Sequence, residues 1–255
     1  MFFNLFKKTV SAEVKLPKRM WLNEELSKKE IEEYKNVFDQ ITGEEFINIL
    51  NDEFTPLIKS FDFRGSKNNF YKRNSPWIYT INIFKDKYGG NCALNVGIHL
   101  DFVENQIDQL PIPSKFTIAD CMISKSIEMD NGNNWYYYGK DRNEGLETVE
   151  LMASMFKKKA VPFLQKFENY PSPFDKITLS DLVYPTDKYT EYGISKQMLT
   201  GSQFQIFLSK IKYTIGQTEL ALDILEKARA EVLKRNNNSS SPLVEKINKL
   251  LQNYR

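Results

Sequence analysis

Residues 77–100 constrain the fold most, because they read as a single β-hairpin. From Trp77 to Phe84 the chain is rich in β-branched and aromatic residues, with Trp77, Tyr79, Ile81 and Ile83 on one face. Gly89-Gly90-Asn91 supplies the hairpin loop. Cys92, Leu94, Val96, Ile98 and Leu100 then alternate with Ala93, Asn95, Gly97 and His99. That period of two describes a half-buried strand with one apolar face and one small or polar face.

Further strand signals flank this hairpin. Asn69 to Arg73 reads as a short strand ended by the turn Asn74-Ser75-Pro76. After a loop marked by Pro111 and Pro113, residues 116–128 read as another strand. Asp130-Asn131-Gly132-Asn133 is a turn, and Trp135 to Tyr138 a short aromatic strand. Such short connections favour antiparallel pairing over βαβ crossovers. The expected fold is therefore α+β: a central antiparallel sheet of about five strands flanked by helices, with a helical C-terminal region.

Helical periodicity appears on both sides. Ser27 with Glu30 forms a capping box ahead of Ile31, Tyr34, Val37 and Phe38. Thr42 with Glu45 forms a second, ahead of the stripe Phe46, Ile49, Leu50, Phe54, Leu57, Ile58 and Phe61. Pro56 inside that stripe predicts a kink or break. A third helix begins near Asn143, with Leu146, Val149, Met152, Ala153 and Phe156 inward and Glu144, Glu147 and Glu150 early, where the helix dipole favours them. Pro162 bends or restarts it.

Beyond Tyr170, prolines 171, 173 and 185 punctuate an irregular stretch. Phe204, Phe207, Leu208, Ile211 and Ile215 stripe one helix, Thr218 to Arg235 a second, and Leu243, Ile247, Leu250 and Leu251 a last one. The expected organisation is a loosely ordered basic lead-in over 1–22, an α+β domain over 23–169, and a mainly helical region over 170–255 with a flexible linker near 236–242.

The totals exclude some classes. The 255 residues are 41% hydrophobic and 13% aromatic, enough for a packed core. Lys and Arg number 35 against 33 Asp and Glu, so no net field favours nucleic acid. The local charge is uneven: residues 1–20 are basic and residues 21–60 acidic, read as solvated faces or as a docking surface for a partner of opposite charge. Lys7 interrupts the apolar opening Phe2-Phe3-Asn4-Leu5-Phe6 too soon for a secretory signal. No apolar run reaches the roughly eighteen residues of a membrane span. The expected setting is the cytoplasm, with Cys92 and Cys121 as free thiols.

Chemistry-bearing motifs are sparse. His99 is the one histidine, which excludes HExxH and multi-histidine metal centres. Cys92 and His99 have opposite strand parity, so with Cys121 they do not make a metal site. Neither GxxxxGK[ST] nor GxGxxG occurs, and Gly65-Ser66-Lys67 is read as a turn. There is no GxSxG elbow. The carboxylate pairs Asp52-Glu53 and Glu147 with Glu150 fall on helices, as wet faces. Lys157-Lys158-Lys159 reads as solvated. No catalytic residue, metal or cofactor is expected.

The order of several short motifs resembles a known family. Phe54-Thr55-Pro56-Leu57-Ile58-Lys59 is followed by Asn69-Phe70-Tyr71-Lys72-Arg73, Ile81-Asn82-Ile83-Phe84, Asn95-Val96-Gly97-Ile98, Trp135-Tyr136 and Val161-Pro162-Phe163-Leu164. From about residue 43 to 168 the chain resembles a bacterial domain-of-unknown-function family, the one numbered 4304. The resemblance implies a compact α+β domain and carries no activity or catalytic residues with it.

The functional expectation is a non-enzymatic module that binds another protein, of an inhibitor or toxin-immunity type, acting through an exposed sheet face or an acidic helix. Asn95, His99, Trp135 and Tyr137 are its candidate contacts. Two alternatives stand beside it: a hydrolase or nucleic-acid-processing enzyme with a site assembled from dispersed carboxylates and His99, and a scaffold acting through apolar stripes left exposed at 204–215 and 243–251.

Overall fold

Six strands form one antiparallel sheet: β1 (Arg64–Ser66), β2 (Asn69–Asn74), β3 (Trp77–Lys85), β4 (Asn91–Leu100), β5 (Ile123–Ser126) and β6 (Tyr136–Tyr137). The first five lie in chain order, and β6 pairs with β4 beside β5. This is a computed structural model, and it describes residues 41–87, 89–104, 109–237 and 239–255. The basic lead-in, the helix begun by Ser27 and the first half of the acidic 21–60 stretch lie outside the described residues. Among those described, no helix is long and apolar enough to cross a membrane.

The β3–β4 hairpin is the sheet's centre, in a register that sets Trp77 opposite Leu100, Ile81 opposite Val96 and Lys85 opposite Cys92. Gly89 and Gly90 both take positive φ in its loop, where a side chain would be strained. One sheet face carries Trp77, Tyr79, Ile81 and Ile83 against Cys92, Leu94, Val96, Ile98 and Leu100, all buried.

Two interrupted helices contribute to the core over this face. α1 (Gly43–Ile49) starts on Thr42, whose capping box with Glu45 forms as expected. It runs through a π-helical turn, Leu50–Phe54, into α2 (Thr55–Ser60). α3 (Arg142–Met155), capped by Asp141, runs through a second π-helical turn, Phe156–Ala160, into α4 (Val161–Gln165). Each π turn directly precedes a helix with proline near its start, Pro56 or Pro162. The prolines bring no N–H, and the locally widened turn accommodates them without ending the helix. Phe54 and Phe156, one from each π turn, meet edge to face at 6.1 Å.

The C-terminal region joins the same core. Phe167 and Phe174 lie 5.7 and 5.9 Å from Trp77, and Phe207 lies 5.5 Å from Phe174. Phe207 belongs to α7 (Ser202–Thr214), which follows the short helices α5 (Leu179–Val183) and α6 (Lys196–Leu199). α8 (Thr218–Arg235) and α9 (Pro242–Tyr254) complete the chain, α9 starting on a Ser241 cap. Val244, Ile247 and Leu251 of α9 are buried with Ile206 of α7 and Leu225, Ala228 and Val232 of α8. The apolar stripes of α7 and α9 are thus used internally, which removes the exposed surface that a scaffold role needed.

The 116–128 segment differs from expectation. Only Ile123–Ser126 is strand; Ile118–Asp120 is a 3-10 turn. The Asp120 carboxylate accepts hydrogen bonds from the backbone N–H and hydroxyl of Thr117, and that capping box closes the turn instead of extending the strand.

Candidate functional site

The second face of the sheet holds all four residues singled out from sequence, and the structure divides them between two ends. Inter-strand register lays out its rows. Ile78 stands opposite His99, Thr80 opposite Gly97, Asn82 opposite Asn95 and Phe84 opposite Ala93. Asn69 of β2 continues the Asn82–Asn95 row on one side and Ser126 of β5 on the other.

The His99 end is covered, which corrects the expectation of an exposed face there. His99 is only 1% exposed, its ring between Phe116 at 5.1 Å and Phe207 of α7 at 5.6 Å. Both ring nitrogens are engaged with backbone. Nδ1 accepts from Met122 N–H at 3.2 Å, which fixes the proton on Nε2, and Nε2–H donates to Val103 O at 3.0 Å. Burial holds the imidazole well down, at about 4. A neutral ring with both nitrogens occupied is a fastener between two loops, and it leaves no lone pair for general-base work.

A cleft opens beside His99, lined among others by Glu104, Asp120, Cys121, Lys210 and Lys246. Its groups are committed to structure. Asp120 closes the capping box; burial pushes the Cys121 thiol up to about 12, and its sulfur lies 3.2 Å from Thr80 Oγ1. Burial, with Lys246 nearby, pulls Lys210 down to about 8, although it pairs with Glu104. Cys92, on the opposite sheet face, is fully buried, and burial raises its thiol far above the usual range. Among the described residues, no group of three His, Cys, Asp or Glu side chains is arranged to hold a metal ion.

The other end is open, and the structure brings Asn95, Trp135 and Tyr137 to it. Tyr137 pairs with Asn91 on the β6–β4 register and is 55% exposed, while Trp135, of the same parity, is 37% exposed. Between them Tyr136 turns inward, is buried and donates its hydroxyl to Ile127 O at 2.8 Å. Phe84, which the sequence reading passed over, is 53% exposed and lies 6.3 Å from Trp135. Its signal was present: it continues the parity of Thr80 and Asn82 onto this face.

Beside these rings runs an uncharged polar row. Asn82 Nδ2 donates to Asn69 Oδ1 at 2.7 Å, and Ser126 Oγ to Asn95 Oδ1 at 2.6 Å. Asn82 Oδ1 is buried without a hydrogen-bond partner. An aromatic row next to an amide and hydroxyl row, with no charged side chain in either, has the composition of an interface centre.

Comparison with known proteins adds a match to one family over part of the chain. Residues 54–166 match the model of the family described as "Domain of unknown function (DUF4304)". The matched segment contains Phe84, Asn95, Trp135 and Tyr137. No curated protein and no solved structure matches the chain.

Proposed function

We propose that this is a non-enzymatic protein-binding module whose partner protein seats on the open end of the second sheet face. Phe84, Trp135 and Tyr137 are its aromatic anchors. Asn95 and the orphaned Asn82 carbonyl oxygen supply hydrogen bonding. The observation that carries this reading is the group of three exposed rings beside an uncharged polar row. Large rings concentrate binding energy when a partner dries them, and an unpaired buried acceptor is a place for a partner's donor. In its most specific form the role is that of an inhibitor or immunity-type protein, which works by covering a partner's surface and needs no chemistry of its own. The unpaired, buried state of both cysteines suits a reducing, cytoplasmic setting. The test is paired capture of partners by the native protein and by a form lacking Trp135 and Tyr137 side chains.

A further inference from the structure

The sheet face opposite the proposed docking surface carries a small cavity of ≈ 140 Å³. Phe61, Phe63, Phe156, Val161 and Leu164 form its apolar wall, and Asn74, Gln165 and Glu168 also line it. Lys72 and Tyr79 are directly paired across β2 and β3, and both line it. All but Glu168 lie within the family segment.

Two features mark it as more than a packing flaw. Tyr79 is 4% exposed, and its hydroxyl is buried with no hydrogen-bond partner. A buried hydroxyl left unpaired costs free energy that a ligand can return. That hydroxyl feels the charge of Glu168, and both residues line the cavity. Burial and Glu168 raise its pKa well above the ordinary phenol range, so it acts as a neutral donor.

Size and shape narrow the ligand. An apolar cavity of about 150 Å³ in another protein holds one benzene molecule. Here Phe61 and Phe156 stand 85° apart with centroids at 5.4 Å, offering both a face and an edge to an incoming ring. Charge narrows it further. Lys72 Nζ is already held by Phe61 O at 3.0 Å and Asp62 at 3.4 Å, while Glu168 disfavours an anion.

We propose that this cavity binds a small neutral aromatic molecule of a single ring, carrying one hydrogen-bond acceptor that meets the Tyr79 hydroxyl. The site is independent of the protein-docking face, and either can fail without the other.

Benzamide is a suitable probe, with benzoate as its charged counterpart. Titration of the full chain by NMR is expected to show saturable benzamide binding, with a nuclear Overhauser contact from the bound ring to the Leu164 methyls and weaker binding of benzoate. Tyr79→Phe keeps the ring and removes the donor, and is expected to weaken benzamide about tenfold. Val161→Phe, at a half-buried position on the cavity wall, is expected to abolish binding by filling the space. Absence of saturable benzamide binding overturns the proposal. So does binding that survives Val161→Phe, or binding equally tight in a folded Tyr79→Phe.

Discussion

Gly97 of β4 lies directly beneath Cys121: a β-carbon built on Gly97 would stand 2.6 Å from the Cys121 sulfur. It would stand equally close to Ile118 Cδ1 and Thr80 Oγ1. The 3-10 turn after Thr117 therefore rests on bare backbone at this one point. That contact gives the Asn95-Val96-Gly97-Ile98 motif a physical reason, since any side chain at 97 lifts the loop that covers His99. Gly97→Ala is expected to destabilise the protein by about 1–3 kcal/mol, the usual cost of overpacking. Urea unfolding measures this directly, and a variant as stable as the parent would mean the loop shifts freely.

His99 makes stability depend on pH in a definite direction. Its folded value is lowered to about 4, against about 6.5 when unfolded, so the unfolded chain binds the proton more readily. The stabilisation is fully present above pH 6.5 and is lost as pH falls through 4. That gap is worth about 3 kcal/mol. Burial is its main cause; the Val103 carbonyl and Asp120 oppose it, while Lys210 reinforces it. Protonation also ends the hydrogen bond that Nδ1 accepts from Met122. His99→Gln is expected to be less stable at pH 7 and to show a flatter stability profile between pH 6.5 and 4.5. Equal slopes for the two proteins would show that the ring titrates normally.

The C-terminal helices are expected to be indispensable to the sheet. Phe174 packs on Trp77 and Phe167 within the central core, and α7 brings Phe204 and Phe207 against Phe174. Phe174→Ala is expected to cost about 3–5 kcal/mol. A chain ending at residue 169 strips these rings from Trp77 and is expected to lose cooperative unfolding, as followed by circular dichroism and tryptophan fluorescence. A sharp, native-like transition in the shortened chain would mark residues up to 169 as self-sufficient.

What the sequence disclosed follows from the range of each signal. Period-two alternation in Trp77–Leu100 and the capping box at Thr42 are local, and they place elements close to where the structure has them. Parity also separated Cys92 from His99 and placed Asn95 with His99. Parity does not say what lies over a face. The burial of His99 depends on Phe116, seventeen positions on, and on Phe207 of a distant helix, and no local pattern encodes that contact. The 116–128 segment reads as strand because Phe116, Thr117 and Ile118 have β character. The Thr117–Asp120 box, visible in sequence, outweighs it. Phe84 was legible by parity and was overlooked because it sits among core residues of similar type.

The open face can be tested most directly by comparing partner capture by the native protein and by Trp135→Ala/Tyr137→Ala. Both rings are well exposed, so the double variant is expected to unfold within about 1 kcal/mol of the parent. The native protein is expected to retain one stoichiometric protein partner, identified by mass spectrometry. With that partner purified, its affinity for the variant is expected to fall at least a hundredfold, as removal of two anchor residues implies. A partner held equally well by the folded variant, or no stoichiometric partner for the native protein, would contradict a protein-docking role for this face.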